Sequence, residues 1–412
     1  MTKITVVDSI MGSGKTSWAI QYMQEAMQLE KFIYVTPFLS EVERIREHVA
    51  NRSFTEPNNA NEDGSKMTSL KGLIVRGENI ATTHSLFQTA DDELIELLTD
   101  SGYTLILDEV MDCVEPVNVR PSDIRKLENS GDIRIVDNRV DWVGDPHDDS
   151  RYKDIRLLAQ AGNLFYYRGK FLVWAFPPRV FRAINKVIVM TYLFRGQMQR
   201  YYFDLFKFDY EYKGVKRGDN GRYELTDYDE SREQRAEVMG LIDLYEGKLN
   251  EVGERKNALS STWLRKADGE TYVRINKNLY NYFRNVAKAK RSDVYYSTLK
   301  EVEPHIAPRG FKEPKRKNDT GKRQIVIPLN MRATNDYADR WAIAYVFNRY
   351  ANPNINSFFQ DNGVRIDEEL LAVSDLLQWV WRSRIRKGEP IKLYLPSRRM
   401  RELLQAWAKY EI

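Results

Sequence analysis

Between a short apolar run over residues 3–8 and a helix-like stretch from Thr16 stands the octapeptide Ser9-Ile-Met-Gly-Ser-Gly-Lys-Thr16. A loop that wraps phosphate groups needs residues without side-chain bulk, so that successive backbone N–H groups can turn inward. Gly12 and Gly14 meet that need. Lys15 would reach the β- and γ-phosphates, and the Thr16 hydroxyl would ligate Mg²⁺. Gly12, Ser13, Gly14, Lys15, Thr16 and Ser17 form the expected nucleotide-binding set. Ser9 stands where the general pattern carries its first glycine. A second segment, Leu105-Ile-Leu-Asp-Glu-Val110, supplies what the first lacks. An apolar strand ending in Asp108 delivers a carboxylate to the sheet edge, where it can hold the Mg²⁺ shell. Glu109 follows and is placed to polarise a water for attack on the γ-phosphate. Alone this is as readily a strand end with two solvated acids; beside the glycine loop it specifies nucleoside triphosphate hydrolysis with Mg²⁺.

A third constellation is Gln378-Trp-Val-Trp-Arg-Ser-Arg-Ile-Arg386. If the segment is helical, Gln378, Arg382 and Arg386 recur every four residues along one face. Guanidinium groups aimed at a γ-phosphate stabilise charge that develops during transfer. The plainer alternative is a solvated basic face, but Trp379 and Trp381 in the same stretch suggest packing that fixes the arginines. Asp145, His147, Asp148 and Asp149 resemble a metal cluster only in composition; without a second acidic cluster on strands they read as a loop.

The elements that must position these residues alternate. KITVVD, KFIYVTPF, ENIATT, YTLILDEV and KVIVMTYLF are nearly continuous apolar strands, separated by helical patterns such as TSWAIQYMQEAMQ and SEVERIREHV, the latter with Ser40 as N-cap. Such strands form a parallel sheet covered on both faces, so residues 1–197 are expected to be one α/β domain, with residues 51–69 an exposed loop. Residues 198–412 are expected to form a second α/β domain, with strands at SDVYYSTL, RQIVIPLN and IKLYLPS and inserted helices over about 215–290. Helical patterns lie near 231–248 and 276–291. At 412 residues, two to three domains is the prior.

Composition narrows the classes further. No run of about eighteen apolar residues exists and the start lacks a signal-peptide pattern, so a soluble, cytoplasmic protein is expected. One cysteine, Cys113, rules out an intramolecular disulfide, and four histidines make a structural zinc site a poor fit. The net charge of +4 is uneven. Residues 378–412 hold nine Lys or Arg against three Glu, and residues 309–323 hold seven against two acids. Positive charge gathered there could hold a polyanion through its phosphates.

Taken in order, these segments resemble the superfamily 2 helicases and translocases, ATPases with two RecA-like domains in tandem. SIMGSGKT resembles motif I, VTPFLSEVERI motif Ia, IATTHSLF the Thr-containing segment after it, LILDEVMD motif II and VIVMTYLF motif III. SDVYYSTLK resembles motif IV, NMRATNDYADR motif V and QWVWRSRIR motif VI, and the set is similar to compact helicase-like proteins of bacteriophages. The resemblance implies α/β architecture of two RecA-like domains with a helical insertion in the second, ATP hydrolysis in a cleft between domains, and DNA, single-stranded or branched, as partner, with RNA left open. Thr36, Thr83, His84 and Thr334 occupy positions that line the nucleic-acid groove in that superfamily, and the basic Lys315-Arg316-Lys317 loop would add phosphate contacts. Lys15, Glu109, Gln378, Arg382 and Arg386 are the implied catalytic set, and Thr16 and Asp108 the metal pair. Motif III here reads Met190-Thr191-Tyr192 in place of Ser-Ala-Thr, and motif V lacks Arg-Gly-Ile-Asp. A phage protein of this kind would work in the host cytoplasm. A terminase-like packaging ATPase and a nucleotide-binding switch or scaffold are the competing functions.

Overall fold

The apolar runs of the first half of the chain form the buried strands of its main sheet. In the computed structural model, which describes residues 2–62, 64–312, 325–329 and 336–412, the strands in chain order are β1 (Lys3–Asp8), β2 (Phe32–Thr36), β3 (Phe54–Thr55), β4 (Asn79–Thr83) and β5 (Thr104–Asp108), then β6 (Val114–Val117), β7 (Ile133–Val136), β8 (Arg139–Trp142), β9 (Leu164–Tyr167) and β10 (Phe171–Ala175). They continue with β11 (Lys186–Thr191), β12 (Tyr210–Arg217), β13 (Tyr223–Asp227), β14 (Ile242–Leu244), β15 (Val294–Ser297), β16 (Ala342–Tyr345) and β17 (Ile391–Tyr394). The chain divides into two units, residues 1–228 with 351–366, and residues 229–350 with 367–412.

The first unit is built on an eight-stranded sheet in the order β13-β12-β1-β11-β5-β2-β4-β3. All its pairs are parallel except β12 with β13. β2 and β5 are buried throughout and β1 from Ile4 onward, as strands covered on both faces must be. Helix α1 (Lys15–Glu25) packs Trp18, Ala19 and Met23 into a core with Tyr34, Ile106 and Met190. Helix α2 (Leu39–His48) starts one residue before the expected cap, with Phe38 rather than Ser40 as its N-cap. The expected loop over 51–69 is partly ordered: Phe54 is buried in β3, and helix α3 (Lys66–Val75) begins at an N-cap Ser65 that accepts from Thr68 N.

Between β5 and β11 the chain makes a separate antiparallel sheet, β6-β10-β9-β8-β7. Its strands are four or five residues long, so their alternation is too brief to read in advance. Asp137 and Asn138, both left-handed, close the β7–β8 hairpin in two residues. The helix Pro353–Asp361, far on in the chain, belongs to this unit: Phe358 stacks edge-on against Tyr167, and Asp361 takes two hydrogen bonds from Arg168 at 2.7 and 2.8 Å.

The second unit holds a four-stranded parallel sheet, β14-β17-β16-β15. The boundary expected at 197 differs from the division found, because the chain runs on to add β12 and β13 to the first sheet. Residues 210–227 are therefore a hairpin and not part of a helical insertion. The pattern near 231–248 resolves into a short helix, Arg235–Gly240, and β14, while that near 276–291 is the tail of helix Gly269–Asn281 passing into a π turn at Tyr282–Val286. RQIVIPLN contributes one parallel bridge, Tyr296 with Val326, among the described residues. No helix among the described residues is long and apolar enough to cross a membrane.

Candidate nucleotide site

The C-terminal ends of β1, β11, β5, β2 and β4 lie along one edge of the first sheet, in register Asp8 with Thr191 and Met190 with Asp108. Asp8, Thr191, Asp108, Thr36 and Thr83 are thereby delivered to the same edge. The loop leaving β1 carries Gly12 at φ 86° and Gly14 at φ 96°, left-handed conformations that an L side chain rarely adopts. Lys15 opens α1 and turns back into the loop, donating to Ser9 O at 2.5 Å and Ile10 O at 3.3 Å. The Ser13 hydroxyl oxygen is buried without a hydrogen-bond partner among the described residues. A loop of this shape, with a buried ammonium and an unsatisfied hydroxyl, has donors to offer an anion.

Asp108 is buried at the end of β5 and accepts from Tyr34 Oη at 2.7 Å. Burial pushes its carboxyl up to about 7; the Tyr34 hydrogen bond and Lys15 pull it down, while Glu109 and Glu41 push it up. Glu109 has φ 71° and donates its N–H to Met190 O at 2.9 Å, so the strand ends sharply here. Its Oε2 accepts from Thr191 Oγ1 at 3.1 Å, and Thr191 Oγ1 accepts from Gln197 Nε2 at 2.9 Å. The neighbouring Asp8 carboxylate accepts Leu193 N and Phe194 N, both at 2.8 Å, and thereby fixes the turn that carries Gln197.

A buried carboxylate crowded by two acids favours a cation beside it. No group of three His, Cys, Asp or Glu among the described residues could cage a metal. A nucleotide-borne Mg²⁺ needs no such cage, since it takes one or two protein oxygens along with phosphates and water. Asp108 and Thr16, which sits in the first turn of α1, fit that requirement.

The other expected residues are placed differently. Thr36 is fully buried and His84 is 9 % exposed, so neither faces an open surface. Thr83 does: it lines a groove of about 670 Å³ with Ser40, Lys66, Ser85 and Thr89. Gln378, Arg382 and Arg386 do not share a helix face. The helix Glu368–Val380 ends before Arg382, where Ser383 turns its hydroxyl onto Val380 O at 2.7 Å, and Arg386 sits in a separate 3₁₀ turn over Arg384–Lys387. Arg382 is 3 % exposed, whereas Arg386 is exposed. Trp379 is core, packed edge-on between Tyr295 and Tyr345 with ring centroids 4.9 Å away from each. The Asp145–Asp149 segment is a loop as expected, held by Arg156, which donates to Pro146 O and Asp148 O. Thr334, Lys315, Arg316 and Lys317 lie outside the described residues.

Sequence reasoning missed Tyr34, Thr191, Gln197, Asp8 and the residues of β12–β13 that touch the loop. Ser9 Oγ accepts Val215 N at 2.9 Å, and Tyr223 packs against Gly14. Thr191 alone among these lies in a segment with a signal, VIVMTYLF, through its resemblance to motif III.

Comparison with known proteins adds the family. Residues 236–408 match the model of the YonV C-terminal Rossmann-like domain, and residues 114–174 match the YonV middle domain, which here is the antiparallel sheet β6–β10. The chain is 34% identical over 418 residues to the SPbeta prophage-derived uncharacterized protein YonV of Bacillus subtilis (strain 168), covering 99% of each. Among solved structures it is similar to S. tokodaii Xpd4, at TM-score 0.49 and 12% identity, over 100% of this chain and 94% of that one. The DUF1998 helicase MrfA bound to DNA and AMPPNP matches at TM-score 0.35 and 11% identity, over 100% of this chain and 48% of that one. Identity at that level along nearly the whole of both chains decides the assignment: the chain belongs to the YonV family.

Proposed function

We propose that this protein is a nucleic-acid-dependent ATPase, a helicase or translocase of the superfamily 2 kind with two RecA-like domains, acting on single-stranded or branched DNA. We further propose a role in phage replication or recombination, in the host cytoplasm; the prophage origin of its relative supports the phage part of that reading. The observation that carries the proposal is the single sheet edge. It holds a glycine loop with a buried lysine, and two strands away a buried aspartate followed by a glutamate whose carboxylate is hydrogen-bonded in place.

In this scheme the backbone of residues 12–16 cradles the triphosphate, and Lys15 exchanges the carbonyls of Ser9 and Ile10 for phosphate oxygens. Asp108 and Thr16 would hold Mg²⁺, which supplies charge neutralisation at the phosphates when bound. Glu109, oriented by Thr191 and Gln197, accepts the proton of the attacking water. Thr83 and its neighbours at the first turns of α2 and α3 offer hydroxyls, Lys66 and helix N-termini to a phosphodiester backbone without reading bases. Gln378 and the exposed Arg386 stay candidates for turnover. The enclosed Arg382 is better read as a packing residue.

The test is ATP turnover by the full chain with and without single-stranded DNA, forked DNA and RNA. Nucleic acid is expected to stimulate turnover, Lys15→Ala to abolish it, and Glu109→Gln to bind nucleotide without cleaving it. Turnover that ignores all three nucleic acids would leave a nucleotide switch in place of a motor. Near-normal hydrolysis by Lys15→Ala would remove the nucleotide site itself.

A further inference from the structure

The order of strands fixes the direction in which a nucleotide must lie. β1, which feeds the phosphate loop, has β11 and then β5 on one side and β12 and β13 on the other. Lys15 and the Asp108–Glu109 pair mark the side of the terminal phosphate. The nucleoside, at the other end of the ligand, therefore leaves the loop on the side of the β12–β13 hairpin.

That hairpin is tied at three points to the loop and to the helix α1 that follows it. Val215 N donates to Ser9 Oγ at 2.9 Å. Gln21 on α1 clasps the backbone of Tyr223, accepting from its N–H at 3.1 Å and donating to its carbonyl at 3.2 Å. Arg222 pairs with Glu25 at the end of α1. Between these ties the Tyr223 ring lies directly on Gly14: a Cβ at residue 14 would stand 2.0 Å from Tyr223 Cε1. Gly14 is thus required twice, by its φ of 96° and by this ring. Tyr223 is partly buried, packed against the edge of the core that holds Trp18 and Met23, and so keeps part of its surface open.

We propose that Tyr223 is the stacking surface for the base of the bound nucleoside triphosphate, with the β12–β13 hairpin as the wall of the nucleoside half of the site. The proposal rests on the nucleotide-site assignment above and deepens it. A ring that stacks offers a π face to any base, so ATP, GTP and CTP should bind with similar affinity.

Calorimetric titration of the full chain with Mg-ATP and with Mg-tripolyphosphate, which has phosphates but no base, separates the two halves of the site. Tyr223→Ala and Tyr223→Leu are expected to weaken ATP roughly tenfold or more while leaving tripolyphosphate unchanged, and Tyr223→Phe to keep both. The Leu and Phe variants preserve bulk against Gly14, so their comparison stands even where Ala does not fold. Parallel loss of both ligands in Tyr223→Leu would make the ring a prop for the loop and overturn the proposal. Unchanged ATP affinity in the Leu variant would overturn it equally. Lys15→Ala should weaken both ligands. If the unsubstituted chain binds neither, the nucleotide site falls, a result distinct from failure of the stacking assignment.

Discussion

At the scale of single residues, the carboxylates at the ends of β1 and β5 and the Lys15 ammonium are each held by partners from distant parts of the chain or from the loop itself. Lys15 and Asp108 stand inside short contiguous patterns that sequence alone can single out, and the side-chain partner of Asp108 does not. Tyr34 reaches Asp108 from 74 residues away, and Thr191 reaches Glu109 from 82. Those distances close only when β2, β5 and β11 lie side by side. The Asp108 environment has a measurable consequence. Its carboxyl titrates near 7 in the folded chain, against about 3.9 for an unfolded aspartate, so the native state binds the extra proton between those values. A raised carboxyl pKa costs stability as pH rises from about 4 to about 7, and the cost then stays. Asp108→Asn removes that charge and can still accept from Tyr34. Without nucleotide or metal, the variant should be more stable than the parent at pH 8, by on the order of a few kcal/mol and so with a higher melting temperature, and alike near pH 4. It should also lose turnover, the trade expected where a function holds a charge in an unfavourable place. Melting curves at the two pH values check this, and a variant less stable at pH 8 would contradict it.

Among elements, long periodic runs were read correctly because burial on both faces leaves no other pattern for a parallel strand. The failures have local causes. The Gln378–Arg386 run has helical spacing throughout, but the helix ends at Val380, before the first arginine, and Ser383 bonds back to Val380 O. The β6–β10 strands are too short to show a period. A further device invisible to pattern is Arg52, buried within the segment expected to be an exposed loop. Its guanidinium donates to Met23 O and Glu30 O at 2.6 Å and to Ala26 O and Met27 O at 2.5 Å, gathering carbonyls left open at the end of α1. Arg52→Ala would strand several of these in a buried place and should destabilise the chain by about 3 kcal/mol or more. Lysine has one point of charge where arginine has a planar fork, so Arg52→Lys should recover less than half of the loss. Urea unfolding of the two variants measures both effects, and a change within about 0.5 kcal/mol for alanine would mean the carbonyls find water instead.

For the molecule as a whole, two α/β bodies were foreseeable from the alternation of strands and helices, but their bounds along the chain were not. The pattern that argued for a boundary at 197 was a change of texture, from apolar strands to crowded aromatics. Those aromatics, among them Tyr201, Tyr202 and Phe203, are buried within the first unit, and the chain beyond them completes its sheet. The first unit then takes back residues 351–366, whose Pro353–Asp361 helix covers the antiparallel sheet through Phe358 and Asp361. Phe359 from the same helix also meets Tyr201, at a centroid distance of 6.2 Å. No sequence period could announce this, because the helix and the sheet it covers lie far apart in the chain. The consequence is that no single cut frees an intact first unit. A chain ending at residue 228 keeps the phosphate loop, Asp108 and the hairpin, yet uncovers Tyr167, Tyr201 and the apolar surface between them. It should bind an apolar-surface dye and melt several degrees below a version in which residues 351–366 are rejoined through a flexible Gly/Ser linker. A chain ending at residue 197 should fare worse than either, since it also loses the strand that pairs with β1 and the tie from Val215 to the loop. Equal melting temperatures for the 228-residue fragment and the rejoined version would show that the helix from the far end of the chain contributes nothing to holding the first unit together.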